Sequence, residues 1–189
     1  MSRRVALFGG SFDPFHLGHF LIGRFAFEKF RLDEVIYLPC AQSPLKKYQP
    51  VAPAADRLRW LKQGLVGQRW AKVSSWEIGR SGVSYSIDTA AQWRKKMPSA
   101  KLFWIMGSDQ WSALPDWKDF RKLARWVHFL VFPRPEKPKA RSGISMSVLP
   151  CRFDVSSTEI RQRVRRRLSI RGLVLADSED SIERSRYYQ

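Results

Sequence analysis

The densest chemistry in the chain lies near its start, in Gly9-Gly10-Ser11-Phe12-Asp13-Pro14-Phe15-His16-Leu17-Gly18-His19. Two adjacent glycines let a backbone turn sharply and approach a ligand, with amide hydrogens turned toward phosphate oxygens. His16 and His19 stand three positions apart, so at a helix start both rings project from one face. Gly18 between them leaves room for a ligand to press against that turn. The helix end adds partial positive charge. Together these features make a cradle for a triphosphate. The chain has three histidines in all, and two of them fall here. The same residues could form an ordinary turn and helix start, or a zinc pair with Asp13 as third ligand, although no Cys or further His supports the latter. Neither G-x-x-x-x-G-K-[ST] nor G-x-G-x-x-G occurs, which removes the P-loop and the dinucleotide fingerprint.

The elements that must position this segment follow from the pattern of apolar residues. Arg3 to Phe8 reads as a short buried strand, and Leu17 to Phe30 as a helix with a broad apolar face. Glu34 to Pro39 is a second strand, Cys40 to Pro53 a loop containing Lys46-Lys47, and Ala54 to Leu65 a helix. Trp70 to Trp76, Lys101 to Met106, Trp126 to Phe132 and Val148 to Asp154 are further expected strands. Helices are expected over Ile87 to Met97, Trp117 to Ala124 and from Ser156 to near the end, with Pro133 to Ser147 as a loop. Strands alternating with helices at this spacing imply an α/β fold, a doubly wound parallel sheet with helices on both faces. Ligands in such sheets bind beyond the carboxyl ends of the strands, at the switch point.

Composition bounds the rest. The 189 residues fit one globular domain, residues 1–189, with a helical C-terminal part from about 156. A chain of this length buries about 70% of its unfolded surface, and 13% aromatic residues supply apolar area that a disordered chain lacks. No apolar run of about eighteen residues exists to span a membrane as a helix. The apolar stretch after Arg3-Arg4 is too short for a signal peptide, so the expected compartment is the cytosol. Cys40 and Cys151 are too few for a disulfide framework and read as reduced thiols. Against 17 acidic residues stand 34 Lys and Arg, a net charge of +17, which suits a polyanionic partner: nucleic acid, an anionic membrane or phosphorylated small molecules.

The first segment resembles the G-x-F-D-P-x-H-x-G-H signature of the nucleotidyltransferase superfamily, whose Rossmann-like members transfer a nucleotide's α-phosphoryl group and release pyrophosphate. Val155-Ser156-Ser157-Thr158-Glu159-Ile160-Arg161 resembles the S-S-T-x-I-R motif of bacterial adenylyltransferases, where a helix N-terminus and an arginine grip the ATP phosphates. Ser156 with Glu159 is also a capping box, and the two readings are compatible. Gly82-Val83-Ser84-Tyr85-Ser86-Ile87-Asp88-Thr89 is similar to the G-x-S-Y-T-x-D-T element of nicotinate-nucleotide adenylyltransferases. Met106-Gly107-Ser108-Asp109 with Leu114 and Trp117 resembles their M-G-x-D…L-x-x-W element, and His128 to Pro135 their H-F-x-V-x-x-R-P stretch. The ordered combination runs from Val5 to Arg161 and more loosely to Leu175.

The resemblance implies adenylyl transfer from ATP, with Mg²⁺, to nicotinate mononucleotide. His16, His19 and Arg161 would stabilise the phosphates as pyrophosphate leaves. Gly9, Gly10, Ser11, Phe12, Gly18, Ser157 and Thr158 would line the ATP site, with Gly107 and Asp109 at the adenosine. Lys46 would meet the mononucleotide phosphate, Ser86 the nicotinate carboxylate, and Trp117 would stack on the nicotinate ring. Local structure offers each a plainer role: Trp117 as core, Ser86 or Asp109 as helix caps, His128 as a packed core histidine, and the arginines after Arg161 as a solvated face. Three positions depart from the family pattern. Cys40 stands for an asparagine, Leu45 for a histidine and Ser86 for a threonine. An enzyme for another acceptor, nicotinamide mononucleotide or phosphopantetheine, shares the same ATP site. A nucleic-acid-binding protein using the arginine run as a phosphate stripe is the alternative of a different class. An aminoacyl-tRNA synthetase, which shares H-x-G-H, would need an anticodon domain and a K-M-S-K-S-like motif that this sequence lacks.

Overall fold

A computed structural model describes residues 2–42, 44, 49–80, 82–134 and 136–189. Six strands form one parallel sheet in the order β3-β2-β1-β4-β5-β6. They are β1 Arg4–Gly10, β2 Glu34–Pro39, β3 Ala71–Val73, β4 Lys101–Gly107, β5 Val127–Phe132 and β6 Met146–Val148. The helices are α1 Leu17–Lys29, α2 Ala54–Gly64, α3 Ser86–Lys96, α4 Ser108–Ser112, α5 Phe120–Trp126, α6 Ser157–Arg165 and α7 Ala176–Glu183. The four central strands are near-continuous apolar runs because both of their faces are covered. Alternate residues divide accordingly. Phe8, Tyr37, Ile105 and Leu130 pack with Ile22 and Ala26 of α1 and Leu61 of α2. Leu7, Leu38, Trp104 and Phe129 pack with Trp93 of α3, Trp111 of α4 and Leu123 of α5. The doubly wound α/β sheet expected from the sequence is therefore the fold observed.

The strand order reverses between β1 and β4, and their carboxyl ends, Gly9-Gly10 and Gly107, mark the crevice where such folds bind ligands. Beneath it, Gly23 of α1 permits a close approach: a Cβ there would overlap the Tyr37 hydroxyl. That hydroxyl donates to the carbonyl of His19 at 3.4 Å, tying the first turn of α1 to the sheet.

Several element limits differ from the sequence reading. Gly9 and Gly10 complete β1 rather than follow it. β3 keeps only three of its expected residues, since its sole neighbour, β2, pairs with Ala71, Lys72 and Val73. Trp70 lies outside the strand and packs on Phe20 and Phe27. β6 starts two residues before the expected Val148 to Asp154 stretch and ends at Val148; Pro150 lacks the N–H that a continuing ladder needs. Asp119, left-handed at φ 51°, delays α5 to Phe120. The C-terminal stretch is broken as well: Arg167 (φ 55°) and Gly172 (φ 75°) turn the chain between α6 and α7. Those two helices pack against α2 through a third core of Trp60, Ile160, Val164, Ile170, Ile182 and Tyr188.

Candidate active site

β1 delivers the signature loop to the crevice. Phe12 is buried, with its ring against Phe8, Phe15, His19 and Tyr37. Its side chain is thus core, and only its backbone can serve a nucleotide. Ser11 is buried too, its hydroxyl 3.7 Å from the Cys40 sulfur. A Cβ on Gly9 would meet the Trp104 ring at 3.5 Å, and one on Gly10 the Phe12 ring at 3.1 Å.

His16 caps α1, its Nδ1 accepting the His19 amide at 3.3 Å. Burial, with the positive charge of Arg134 nearby, pushes its pKa from 6.5 down to about 3. The imidazole is therefore neutral near pH 7 and, with Nδ1 accepting, carries its proton on Nε2 as a donor. The His19 ring stacks on it with centroids 3.6 Å apart, and on Phe15 from the other side at 5.8 Å. The pairing foreseen from spacing is realised, but Gly18 does a different job from the one expected. Its Cβ direction points at the His16 ring, 3.1 Å away, and at the Val155 carbonyl. The room is filled by the chain itself, which brings the segment before α6 against α1. The first-turn amides of α1 are also partly committed, since that of Leu17 donates to Leu173 and that of His19 to His16.

The second motif arrives at the same loop. Ser156 caps α6 by accepting the Glu159 amide at 3.1 Å. Ser157 Oγ donates to the Pro14 carbonyl at 3.0 Å, and Arg161 Nη1 to the Asp13 carbonyl at 2.8 Å. Arg161 Nη2 also reaches Thr158 Oγ1 at 3.2 Å. Segments more than 140 residues apart thus place two imidazoles, an arginine and two helix N-termini around one loop. Such an array stabilises charge on phosphate oxygens.

At the end of β4, a Cβ on Gly107 would strike the Asp109 carboxylate, so the glycine lets that exposed side chain fold back over the strand end. The neighbouring Ser108 hydroxyl accepts from the Arg134 amide and donates to the Arg134 carbonyl. A cavity of about 600 Å³ opens here, with Asp109, Trp111, Arg134 and Arg141 among its walls.

Trp117, expected from the resemblance to meet the acceptor, is half-buried and makes an edge contact with Trp104 at 6.2 Å. Its indole nitrogen is buried without a hydrogen-bond partner among the described residues. Ser86 opens α3 as its first helical residue, and Tyr85 occupies the cap position. Lys118 sits over the Tyr85 ring at 4.5 Å, bringing the α3 start beside the Trp117 segment. Asp88, in that first turn, would repel an anion, which Arg80 at 3.9 Å partly offsets. Lys46 and Leu45 lie outside the described residues. His128, on the N-terminal half of β5, is half-buried rather than in the core, its two ring nitrogens within hydrogen-bond distance of the Ser145 and Ser147 hydroxyls.

Sequence reasoning gave no role to Arg57, Tyr188 or Arg134 and weighed Asp13 only as a zinc ligand. Asp13 accepts at both carboxylate oxygens, from the Val51 and Ala52 amides and the Tyr188 hydroxyl. Arg57, 1% exposed, donates to the carbonyls of Ser11, Cys40 and Ala52. Tyr188 reaches Asp13 from the far end of the chain. Arg134, in the His128 to Pro135 stretch, lies beside His16 closely enough to lower its pKa and lines the cavity at the end of β4. Only Arg57 left a local signal, an arginine on the buried face of α2 with Trp60, Leu61 and Gly64.

The cytidylyltransferase-like family matches residues 7–163. A protein of Methylacidiphilum infernorum is 42% identical over 89% of this chain and 84% of its own length. One of Opitutus terrae is 40% identical over 88% of each chain. Both bear the name "Probable nicotinate-nucleotide adenylyltransferase". Among solved structures, the nicotinic acid mononucleotide adenylyltransferase of Plasmodium falciparum complexed with NaAD is similar in fold, with a TM-score of 0.79 at 16% identity over 98% of this chain and 97% of that one. The chain therefore belongs to the cytidylyltransferase-like family and, within it, to the nicotinate-nucleotide adenylyltransferases.

Proposed function

We propose that the chain transfers the adenylyl group of ATP to nicotinate mononucleotide, giving nicotinate adenine dinucleotide and pyrophosphate in NAD biosynthesis. One observation carries the chemistry: Ser157 and Arg161 of α6 are bonded to the loop that presents His16 and His19. The relatives named for this acceptor carry the substrate.

The attacking group is a phosphate oxygen of the mononucleotide, ionised near neutral pH because a phosphate monoester's second pKa is about 6. It attacks the α-phosphorus of ATP as the bond to the β-phosphate oxygen breaks, and pyrophosphate leaves. No general base is needed, so the protein supplies position and charge. His16 donates from Nε2 without carrying charge of its own, and His19 is held beside it by stacking. Arg161 and the α6 N-terminus, with Ser157 and Thr158, offset the charge that grows on pyrophosphate. Gly9, Gly10 and the backbone of Ser11 and Phe12 shape the ATP floor, while Gly107 and Asp109 face the adenosine. Trp117 and Ser86, with Lys46, receive the mononucleotide. Mg²⁺ enters as part of the nucleotide substrate. The donor set fits that arrangement, because the signature loop's carboxylate, Asp13, is already filled by protein donors at both oxygens. We place the reaction in the cytosol, where the buried thiols of Cys40 and Cys151 stay reduced.

The test is to incubate purified protein with ATP, Mg²⁺ and nicotinate mononucleotide, then weigh the product by mass spectrometry. Equal amounts of pyrophosphate and nicotinate adenine dinucleotide are expected. Hydrolysis of ATP with no dinucleotide formed would overturn the assignment.

A further inference from the structure

Asp13 is the point where four distant segments meet. One carboxylate oxygen accepts the Tyr188 hydroxyl at 2.6 Å and the Ala52 amide at 3.1 Å. The other accepts the Val51 amide at 2.8 Å. Its backbone carbonyl takes Arg161 Nη1. The loop after β2, helix α6 and the C-terminal turn are thus fastened to a residue three positions before His16. Arg57 fastens the same region through the carbonyls of Ser11, Cys40 and Ala52.

Tyr188 is separable from the fold in one respect. Its ring is 1% exposed in the third core, against Trp60 at 5.9 Å, and the C-terminal segment is held by other bonds. Trp60 Nε1 donates to Ser181 at 2.9 Å, and Tyr187 donates to Asp56 at 2.6 Å. Removing the Tyr188 oxygen alone leaves this packing in place. Hydrophobic anchoring needs only the ring, so the hydroxyl's partner is the informative part. A phenol donating to a buried carboxylate is a charge-assisted bond, stronger than the amide bonds it accompanies. Burial and the Asp13 carboxylate both push the phenol's pKa up, so it remains a donor throughout the working range.

We propose that the Tyr188 hydroxyl is a positioning group for adenylyl transfer: by fixing Asp13 it holds the signature loop, and with it His16, His19 and Arg161, in the geometry that the transition state requires. This rests on the adenylyl-transfer reading above. The hydroxyl is buried against Asp13 and acts 175 positions along the chain, through one carboxylate.

The experiment compares Tyr188→Phe, Asp13→Asn and the double variant with the parent chain, well below the melting temperature of each. Tyr188→Phe should lower kcat about tenfold while KM for ATP stays within about twofold, since misplacement of catalytic groups is felt in the transition state. The double variant should be no slower than Asp13→Asn alone, the non-additivity of two groups in one linkage. Amide hydrogen exchange should quicken in Ser11–Gly18 and not in α7. A lowered melting temperature with unchanged kcat and unchanged exchange would make Tyr188 a packing residue only and overturn the proposal. Losses that multiply in the double variant would overturn its route through Asp13. A parent chain inactive toward the mononucleotide would overturn the reaction instead, and selective exchange in Ser11–Gly18 would then still decide the positioning role.

Discussion

The two halves of the crevice are built differently. On the nucleotide side, the carbonyls of Ser11, Asp13 and Pro14 receive Arg57, Arg161 and Ser157, and the Asp13 carboxylate receives Tyr188. These donors lie 46 to 175 positions away in sequence. On the acceptor side, Trp117 is half-exposed and touches Trp104 edge-on, and Ser86 stands at an open helix start. The bond that changes hands demands a geometry fixed closely enough that a displacement of about 1 Å costs about 100-fold. Holding a flat ring by stacking is more tolerant. Under the proposed function, the reaction resides in the braced half and acceptor choice in the looser one. Of the departures from the family pattern, Ser86 opens α3 beside the Trp117 segment and Cys40 packs against Ser11 in the braced half, while both phosphate motifs are intact.

If that division holds, substitutions in the two halves should separate into kcat and KM effects. His19→Ala should lower kcat at least ~100-fold, the usual worth of a well-placed electrostatic donor; steady-state kinetics showing near-normal kcat would reduce the residue to packing. Trp117→Ala should raise KM for the mononucleotide about tenfold, as loss of an aromatic stack does, with kcat nearly unchanged. A fall confined to kcat would move Trp117 to the reactive half.

His16 supplies a test through pH. Its pKa in the folded chain, about 3, lies below the 6.5 of the unfolded one. Between those values the unfolded chain takes up a proton that the folded chain refuses, so the contribution is complete above pH 6.5 and lost as pH falls toward 3. By pH 5.5 the loss from this group is on the order of 1 kcal/mol. Denaturant melts at pH 7.5 and 5.5 should therefore show His16→Gln losing less stability than the parent over that interval. Equal losses would mean that the ring is protonated in the fold. The smallest effect is expected from Ser86→Ala, about threefold in KM for the nicotinate acceptor, one neutral hydrogen bond's worth. No change would assign the carboxylate to the α3 amides alone.

Much of this architecture was legible in the residues themselves. β1, β2, β4 and β5 were found because strands buried on both faces leave continuous apolar runs. β3 was drawn too long and β6 too late because a three-residue edge strand is defined by its neighbour, not by its own pattern. The break in the C-terminal helix turns on Arg167 and Gly172, and an arginine at positive φ gives no local warning. In the site, His16 with His19 and the run Ser156 to Arg161 could be read, since each is a short motif at helical spacing. Asp13, Arg57 and Tyr188 could not be read together, because their bonds join positions far apart in the chain. Gly18 shows the opposite error. A missing side chain signals close approach, but the sequence does not say whether a ligand or the chain's own backbone approaches.

The proposed function joins a nucleotide-transferring half to an acceptor half selective for the nicotinate mononucleotide. The most direct measurement is kcat/KM for pyrophosphate release with ATP and Mg²⁺, offering nicotinate mononucleotide, nicotinamide mononucleotide and phosphopantetheine in turn. A clear preference for the nicotinate acceptor is predicted. Preference for either of the others would contradict the roles given to Ser86 and Trp117, and release with none would contradict the reaction itself.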